Sequence, residues 1–499
     1  MTKYRWGLPF LSALMFWASF HPLNLGFLGY VALVPLLLYA QTTSGKKSFF
    51  VAWAGGYLAF LLGYSWFAYT VPVGPWLVAI YMGLWFPVFV LLVRRLGILW
   101  SPVAWMATEV LRSLLFGGLP WLLIGYTQHD LLYLIQIADL GGIWLVSLLV
   151  ASVNAAILHP SRTFKIAVAA AVALSVIYGA IRVETMTLHD GPTIAVVQPN
   201  IPQSLKNEAV DKQQLADDNY AKHFDLTIQA AEAKPDLIVW PEAAIYRGVY
   251  VNVDGEPQWI KTRWLGKLQE PTKVTGVETL IGLLVVEERK GEQDTYTNSA
   301  ALVRPDQGVV GRYDKTHLVP FAETFGLEIF RKLVRIFSGM HLMPMRAGTE
   351  FPVWEVKGVK YGAQICYEAI FTEISREIAR KGGAFTVNIS NDGWFKDSHE
   401  LDQMLAMARF RSIENRIHVI RATNTGISAF IEPTGRVQAK LEVNGKTKEV
   451  GGVLAGRIRL TNSTSLFRMA GDWVAWLVLG AAAVEFGRRL FIDRKIKSA

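Results

Sequence analysis

A cysteine and a glutamate, far apart in the chain, each stand just after a short apolar run, and a lysine stands between them within a turn-rich segment. Cys366 is the only cysteine among 499 residues and stands at the end of a strand-like run within Gly362-Ala363-Gln364-Ile365-Cys366-Tyr367-Glu368. A free thiol, with a pKa of about 8.5, is mostly protonated at neutral pH, so a nucleophilic cysteine needs a base or a cation beside it. Glu242, at the end of Leu237-Ile238-Val239-Trp240-Pro241-Glu242, offers a carboxylate that burial would tune into a general base. Lys315, within Gly311-Arg312-Tyr313-Asp314-Lys315-Thr316-His317-Leu318-Val319-Pro320-Phe321, offers a cation for the thiolate and then for the oxyanion of a tetrahedral intermediate. The backbone N–H of Tyr367 is the second oxyanion donor. Taken singly, each residue has an ordinary reading: a solvated loop glutamate, a surface lysine, a core cysteine. Their joint pattern points to covalent catalysis.

Elements that bring such residues together are visible around them. From Gly191 the chain turns to β-branched runs at 193–197, 237–239, 280–286, 300–303, 363–365, 385–389 and 427–431, separated by helical stretches such as 211–232 and 401–416. Strands alternating with helices specify a layered α/β domain. Residues at strand carboxyl ends converge on one edge of a sheet, so a distant Glu, Lys and Cys can meet there.

The remainder is of another kind. The chain is 52% hydrophobic but only 18% charged, and the apolar residues are concentrated in 1–184 and 469–499, flanking the α/β segment 185–468. Crossing about 30 Å of hydrocarbon takes roughly 20 apolar residues. The sequence predicts seven spans, near 7–20, 24–40, 48–70, 74–93, 97–116, 132–158 and 164–182, and an eighth near 471–487. Loop charges orient them, because Lys and Arg are retained in the cytoplasm. Lys3, Arg5, Lys46, Lys47, Arg94, Arg95, Arg162, Lys165, Arg488, Arg489, Arg494, Lys495 and Lys497 fall on one side. Both termini are then cytoplasmic and the α/β domain is extracytoplasmic. The net charge of +9 is thus mostly topogenic, with no call for nucleic acid. Glu109 and Arg112, inside the fifth span, share a helix face; they are either substrate-binding residues or a structural ion pair.

Trp240-Pro241-Glu242, the Tyr313 to Phe321 run and Ile365-Cys366-Tyr367-Glu368 resemble the Glu, Lys and Cys motifs of the nitrilase superfamily, whose fold is an α-β-β-α sandwich. With seven spans before the domain and one after, the chain resembles the apolipoprotein N-acyltransferase family. The resemblance extends to Val197-Gln198-Pro199-Asn200-Ile201-Pro202-Gln203, Ser390-Asn391-Asp392-Gly393-Trp394-Phe395, Arg421-Ala422-Thr423-Asn424-Thr425-Gly426, Pro120-Trp121 and Gly125-Tyr126. It implies an enzyme of the bacterial inner membrane without metal or cofactor. Cys366 would take an acyl chain from the sn-1 position of a phospholipid as a thioester and pass it to the amine of an S-diacylglyceryl-cysteine apolipoprotein. Glu242 and Lys315 carry over as base and oxyanion partner, and Glu323 and Glu368 as further acidic residues that orient Lys315 and the donor. Two departures stand out: Asn207 replaces a common Trp, and Gly393 stands where a slightly larger residue is usual.

Substrate contacts are expected at Trp394 and along an amphipathic arm at 325–344, with Phe330 and Phe337 dipping into the membrane interface; the alternative is an ordinary packed helix. Two rival readings remain: a membrane-tethered amidase for small amides, which shares the Glu-Lys-Cys logic but needs only one anchor, and a transporter or scaffold, which leaves the three motifs unexplained.

Overall fold

A computed structural model describes residues 4–209, 212–254, 258–320, 323 and 345–498. The arm at 325–344, with Phe330 and Phe337, lies outside the described residues. The chain divides into two compact units, one of Met1–Met186 with Ser465–Ala499, the other Thr187–Thr464.

In the first unit every apolar segment expected from the sequence is helical. In chain order they are Leu8–Ala18, Gly26–Tyr30 with Val34–Thr42, Gly45–Gly63, Gly74–Gly83 with Trp85–Leu96, Ser101–Leu114, Leu134–Ile137 with Ala138–Leu158, Arg162–Thr185 and Trp473–Ser498. Prolines set several starts: Pro9, Pro35, Pro75 and Pro102 occupy first-turn positions, where a missing N–H costs no hydrogen bond. Among the described residues, Gly74–Leu96, Leu134–Leu158 and Arg162–Thr185 are long and apolar enough to cross a membrane. Leu8–Ala18, with 11 residues, spans only about 16 Å at 1.5 Å per residue.

The second unit is built on strands β1 (His189–Gln198), β2 (Leu237–Val239), β3 (Ile245–Asn252), β4 (Gln258–Trp259), β5 (Glu278–Glu288), β6 (Thr295–Arg304), β7 (Gly308–Asp314), β8 (Trp354–Val356), β9 (Val359–Ile365), β10 (Phe385–Ser390), β11 (His418–Thr423), β12 (Ala429–Ile431), β13 (Val437–Lys440) and β14 (Gly452–Leu460). One sheet runs β14-β1-β2-β5-β3-β4 with β6 and β7 added beside β5, and the other runs β13-β12-β11-β10-β9-β8. Alternation along the strands builds the layers. Ile194, Val196, Leu237, Val239 and Leu280 pack against Ile365, Phe385, Val387 and Ile389 in a core between the sheets. Their neighbours Ala195, Val197, Ile238, Ile281 and Leu283 face Tyr220, Ala230, Leu265 and Leu268 on the helices Gln213–Glu232 and Arg263–Thr275. Beyond the second sheet lie Thr372–Arg380, whose Ile378 fills the space left by Gly362, and Glu400–Asn415, whose Ala408 packs on Val419 and Ile431. The layering is the expected α-β-β-α sandwich. Burial on both faces explains why β1, β5 and β10 read as continuous apolar runs.

Candidate active site

Glu242 owes its place to a break in the first sheet. Along one edge of β5, β2 pairs with residues 278–280 and β3 takes over from Leu283. The chain between them, Trp240 to Ala244, leaves and rejoins the ladder through Trp240 N–H to Leu280 O at 2.8 Å and Ala244 N–H to Gly282 O at 2.9 Å. A Cβ on Gly282 would stand 2.3 Å from Pro241 O and 2.7 Å from Glu242 Cα, so only glycine lets this corner form. Trp240 anchors it from the other side, fully buried, with its indole N–H donating to Thr227 Oγ1 at 2.8 Å. Glu242 is buried, and both its oxygens are held: Oε1 accepts from Asn298 Nδ2 and Oε2 from Asn391 N–H, each at 2.7 Å. Each oxygen keeps a further lone pair, so the carboxylate can still accept a proton.

Lys315 follows β7, which is two antiparallel steps from β5 and so ends at the same edge. Its ammonium is 1% exposed, 2.9 Å from Glu323 Oε1 and 3.7 Å from Glu242 Oε1. Burial alone would lower its pKa, but the charges of Glu323 and Glu242 raise it above the ordinary lysine value. It therefore stays cationic at neutral pH, as an oxyanion partner must.

Cys366 ends β9 and begins a single 3₁₀ turn, Cys366–Ile370, with φ at 53°. A non-glycine residue in the left-handed region at a strand-to-helix corner is strained, and strain of this kind clusters at reactive side chains. The residue is half-buried. Burial pushes its thiol well above the usual value, the Glu242 carboxylate adds to this, and Lys315 opposes it. The resting thiol is therefore protonated, and a nucleophilic role would require a base beside it. Ser390, at the end of β10, donates to Asp392, which in turn pairs with buried Arg421 at 3.2 Å.

Glu368 is fully buried and ties the lysine segment to the cysteine strand. It accepts from the Tyr313 hydroxyl, Thr316 N–H, the Thr316 hydroxyl, His317 N–H and Ile365 N–H at 2.7–3.0 Å. Burial raises its pKa, against the pull of those donors. Tyr367 lies half-buried on the turn with its ring edge-on to Phe371, and Trp394 is half-buried on the turn Asp392–Trp394, three residues past Asn391. At Gly393 a Cβ would find ordinary contacts at 3.4 Å, so a larger residue has room, and Asn207 accepts from Gln203 Nε2 at 2.7 Å.

The structure thus brings together Glu242, Lys315, Cys366, Glu323 and Glu368. Glu109 and Arg112 belong to the other unit and are committed to its own backbone. Arg112 donates to Trp121 O and Leu122 O at 2.6 and 2.8 Å, and Glu109 accepts from Ile124 N–H at 2.7 Å and Trp105 Nε1 at 3.0 Å. Their own separation is 3.7 Å, longer than these bonds, so the pair chiefly pins the 121–124 loop. Asn298 was not foreseen, although Thr297-Asn298-Ser299, a polar stretch opening the apolar run of β6, was a signal, and Asn391 was read only as part of the Ser390 to Phe395 motif. Among the described residues no group of three or more His, Cys, Asp or Glu is placed to hold a metal ion.

Comparison with known proteins extends over nearly the whole chain. The carbon-nitrogen hydrolase family matches residues 193–462, and the apolipoprotein N-acyltransferase N-terminal domain matches 12–156. The apolipoprotein N-acyltransferase of Geobacter metallireducens is 29% identical over 95% of this chain and 93% of its own. That of Methylococcus capsulatus is 31% identical over 80% of this chain and 75% of its own. The crystal structure of Saccharomyces cerevisiae Nit3, a member of branch 10 of the nitrilase superfamily, aligns with 57% of this chain and 96% of its own at 16% identity and TM-score 0.40.

Proposed function

The chain belongs to the carbon-nitrogen hydrolase family and, within it, to the apolipoprotein N-acyltransferases, and from that premise we propose how its residues carry out N-acylation. It is an acyltransferase acting on lipoproteins in a membrane setting. The first unit, matched at 12–156 by the family's own N-terminal domain, removes the case for a tethered small-amide amidase.

In the first half-reaction Glu242 takes the Cys366 proton as sulfur attacks the sn-1 ester carbonyl of a phospholipid. The oxyanion is met by Lys315 and the Tyr367 N–H. The C–O bond then breaks, the departing lysophospholipid oxygen takes the proton from Glu242, and a thioester remains. In the second half-reaction the α-amine of a diacylglyceryl-cysteine attacks that thioester, giving up a proton through Glu242 to the leaving sulfur, and the amide forms. A thioester suits this relay, since amines attack it far faster than water does where water is scarce. Glu323 orients Lys315, and Glu368 fixes its segment to the cysteine strand. Trp394, Phe330 and Phe337 contact the lipid chains, seven membrane spans precede the catalytic domain and one follows it, and that domain faces the periplasm with both termini in the cytoplasm.

The observation that carries the assignment is the buried meeting of Glu242, Lys315 and Glu323 beside a lone cysteine held in the left-handed conformation. Intact-mass measurement after incubation with phospholipid should find one acyl adduct, placed on Cys366 by peptide mapping. Cys366→Ser should form none and have no N-acylation activity, because a hydroxyl is far less acidic than a thiol. An adduct on another residue, or substantial turnover by the serine variant, would overturn the assignment.

A further inference from the structure

A second lysine beside Glu242 has no part in the chemistry above. Lys206, on the helix Gln203–Ala209, is 3% exposed. Its Nζ donates to Glu242 O at 3.4 Å and to Ala243 O at 3.3 Å. Burying an ammonium is costly, and a methionine or leucine would fill the same space without that cost.

The two acceptors say what the cation does. They are the carbonyls of the peptide planes on either side of Ala243, whose φ of 49° places it in the left-handed region. Successive carbonyls point to opposite sides in extended backbone and to one side in helical or left-handed backbone, so a single donor reaching both holds Ala243 out of the extended conformation. The same helix also braces the carboxylate end: Gln203 Oε1 accepts from Asn391 Nδ2 at 2.8 Å, and the Asn391 N–H holds Glu242 Oε2.

We propose that Lys206 is a positioning residue for Glu242, gripping the two carbonyls that flank Ala243 and so holding the turn that aims the carboxylate into the site. This rests on Glu242 being the general base. Among the described residues, the Glu242 carboxylate and His223, on the helix Gln213–Glu232, are titratable groups that face Lys206. Burial lowers the Lys206 pKa to about 7 against the pull of Glu242, and burial likewise lowers His223 to about 3, leaving its ring neutral. The ammonium is therefore present below about pH 7 and lost as pH rises through it. A neutral amine grips carbonyls less strongly than an ammonium, so thioester formation should decline on the alkaline side of that point.

The test is the rate of acyl-adduct formation on Cys366 in the full-length protein in detergent, with phosphatidylethanolamine as probe, across pH 5–9. Lys206→Met should slow the adduct roughly 10- to 100-fold through kcat, with KM for the donor unchanged, as expected when a base is displaced by a fraction of an ångström. Lys206→Arg, charged at every pH used, should retain most of the rate and lose the decline near pH 7. A wild-type rate and profile in Lys206→Met overturns the proposal. If that variant does not fold, an arginine variant that keeps the decline near pH 7 overturns it instead. Glu242→Gln separates the two readings: full adduct formation there removes the base assignment and Lys206 with it. An inactive Glu242→Gln beside a normal Lys206→Met removes the Lys206 role alone.

Discussion

Cys366 lies between groups that pull its thiol in opposite directions, and the bonds around Glu368 decide whether they stay in register. With five donors on one buried carboxylate, Glu368 is the joint between the segment carrying Lys315 and the strand carrying Cys366. Replacing it by Gln keeps the size but turns one acceptor oxygen into an NH2 that faces N–H groups. The expected cost is about 1–3 kcal/mol for each donor left unpaired. Thermal or denaturant unfolding of Glu368→Gln should show that loss, together with slowed thioester formation; wild-type stability would mean the joint is not structural. At this scale the sequence exposed the charged members of the site through their motifs. It did not expose Asn298, because an amide that holds a carboxylate is recognisable only once β6 is laid beside the Glu242 corner.

The elements most legible in the sequence were those buried on both faces: β2 spans Leu237–Val239, as its apolar run indicates, and β10 extends the predicted run by one residue. Strands β3, β4, β7, β8, β11, β13 and β14 were not anticipated. Strand β11 is buried throughout yet contains His418, Arg421 and Thr423. Arg421 finds Asn388 and Asp392 on the neighbouring strand end, and His418 Nδ1 lies 3.1 Å from Arg459 O. Such a strand reads as polar because its partners are distant in sequence. Strand β7 was read as part of a turn-rich segment, yet its end delivers Lys315. The break between β2 and β3 gives a test at this scale. Gly282→Ala must displace the Pro241 carbonyl or bend β5, at about 1–3 kcal/mol for overpacking. It should also slow thioester formation more than a destabilisation of that size placed elsewhere in the unit. A variant with normal kinetics would show that the corner accommodates a methyl group.

At the scale of the whole molecule, both ends of the chain contribute to one unit while the catalytic unit is inserted between them. The loop charges set its predicted orientation: a reporter fused after Ala499 should report cytoplasm, and one inserted near Gly291 the extracytoplasmic side. Reversed labelling would overturn the topology. Sequence hydropathy located the long helices of this unit but missed the short helices Ile124–Gln128 and Leu466–Ala470 and interruptions such as the one that joins Gly74–Gly83 to Trp85–Leu96, since local breaks leave mean hydropathy unchanged.

The split ends also order events in time. Trp144 donates to Asp472 at 2.6 Å and Trp473 to Leu140 O at 2.9 Å, so the helices of the first 186 residues are bonded to groups that the ribosome supplies only after the catalytic unit. At about 5–20 residues per second, the roughly 280 intervening residues take a quarter-minute to a minute to synthesise. Throughout that interval the earlier helices must hold together in lipid without their closing partner, while the catalytic unit completes its own sheets.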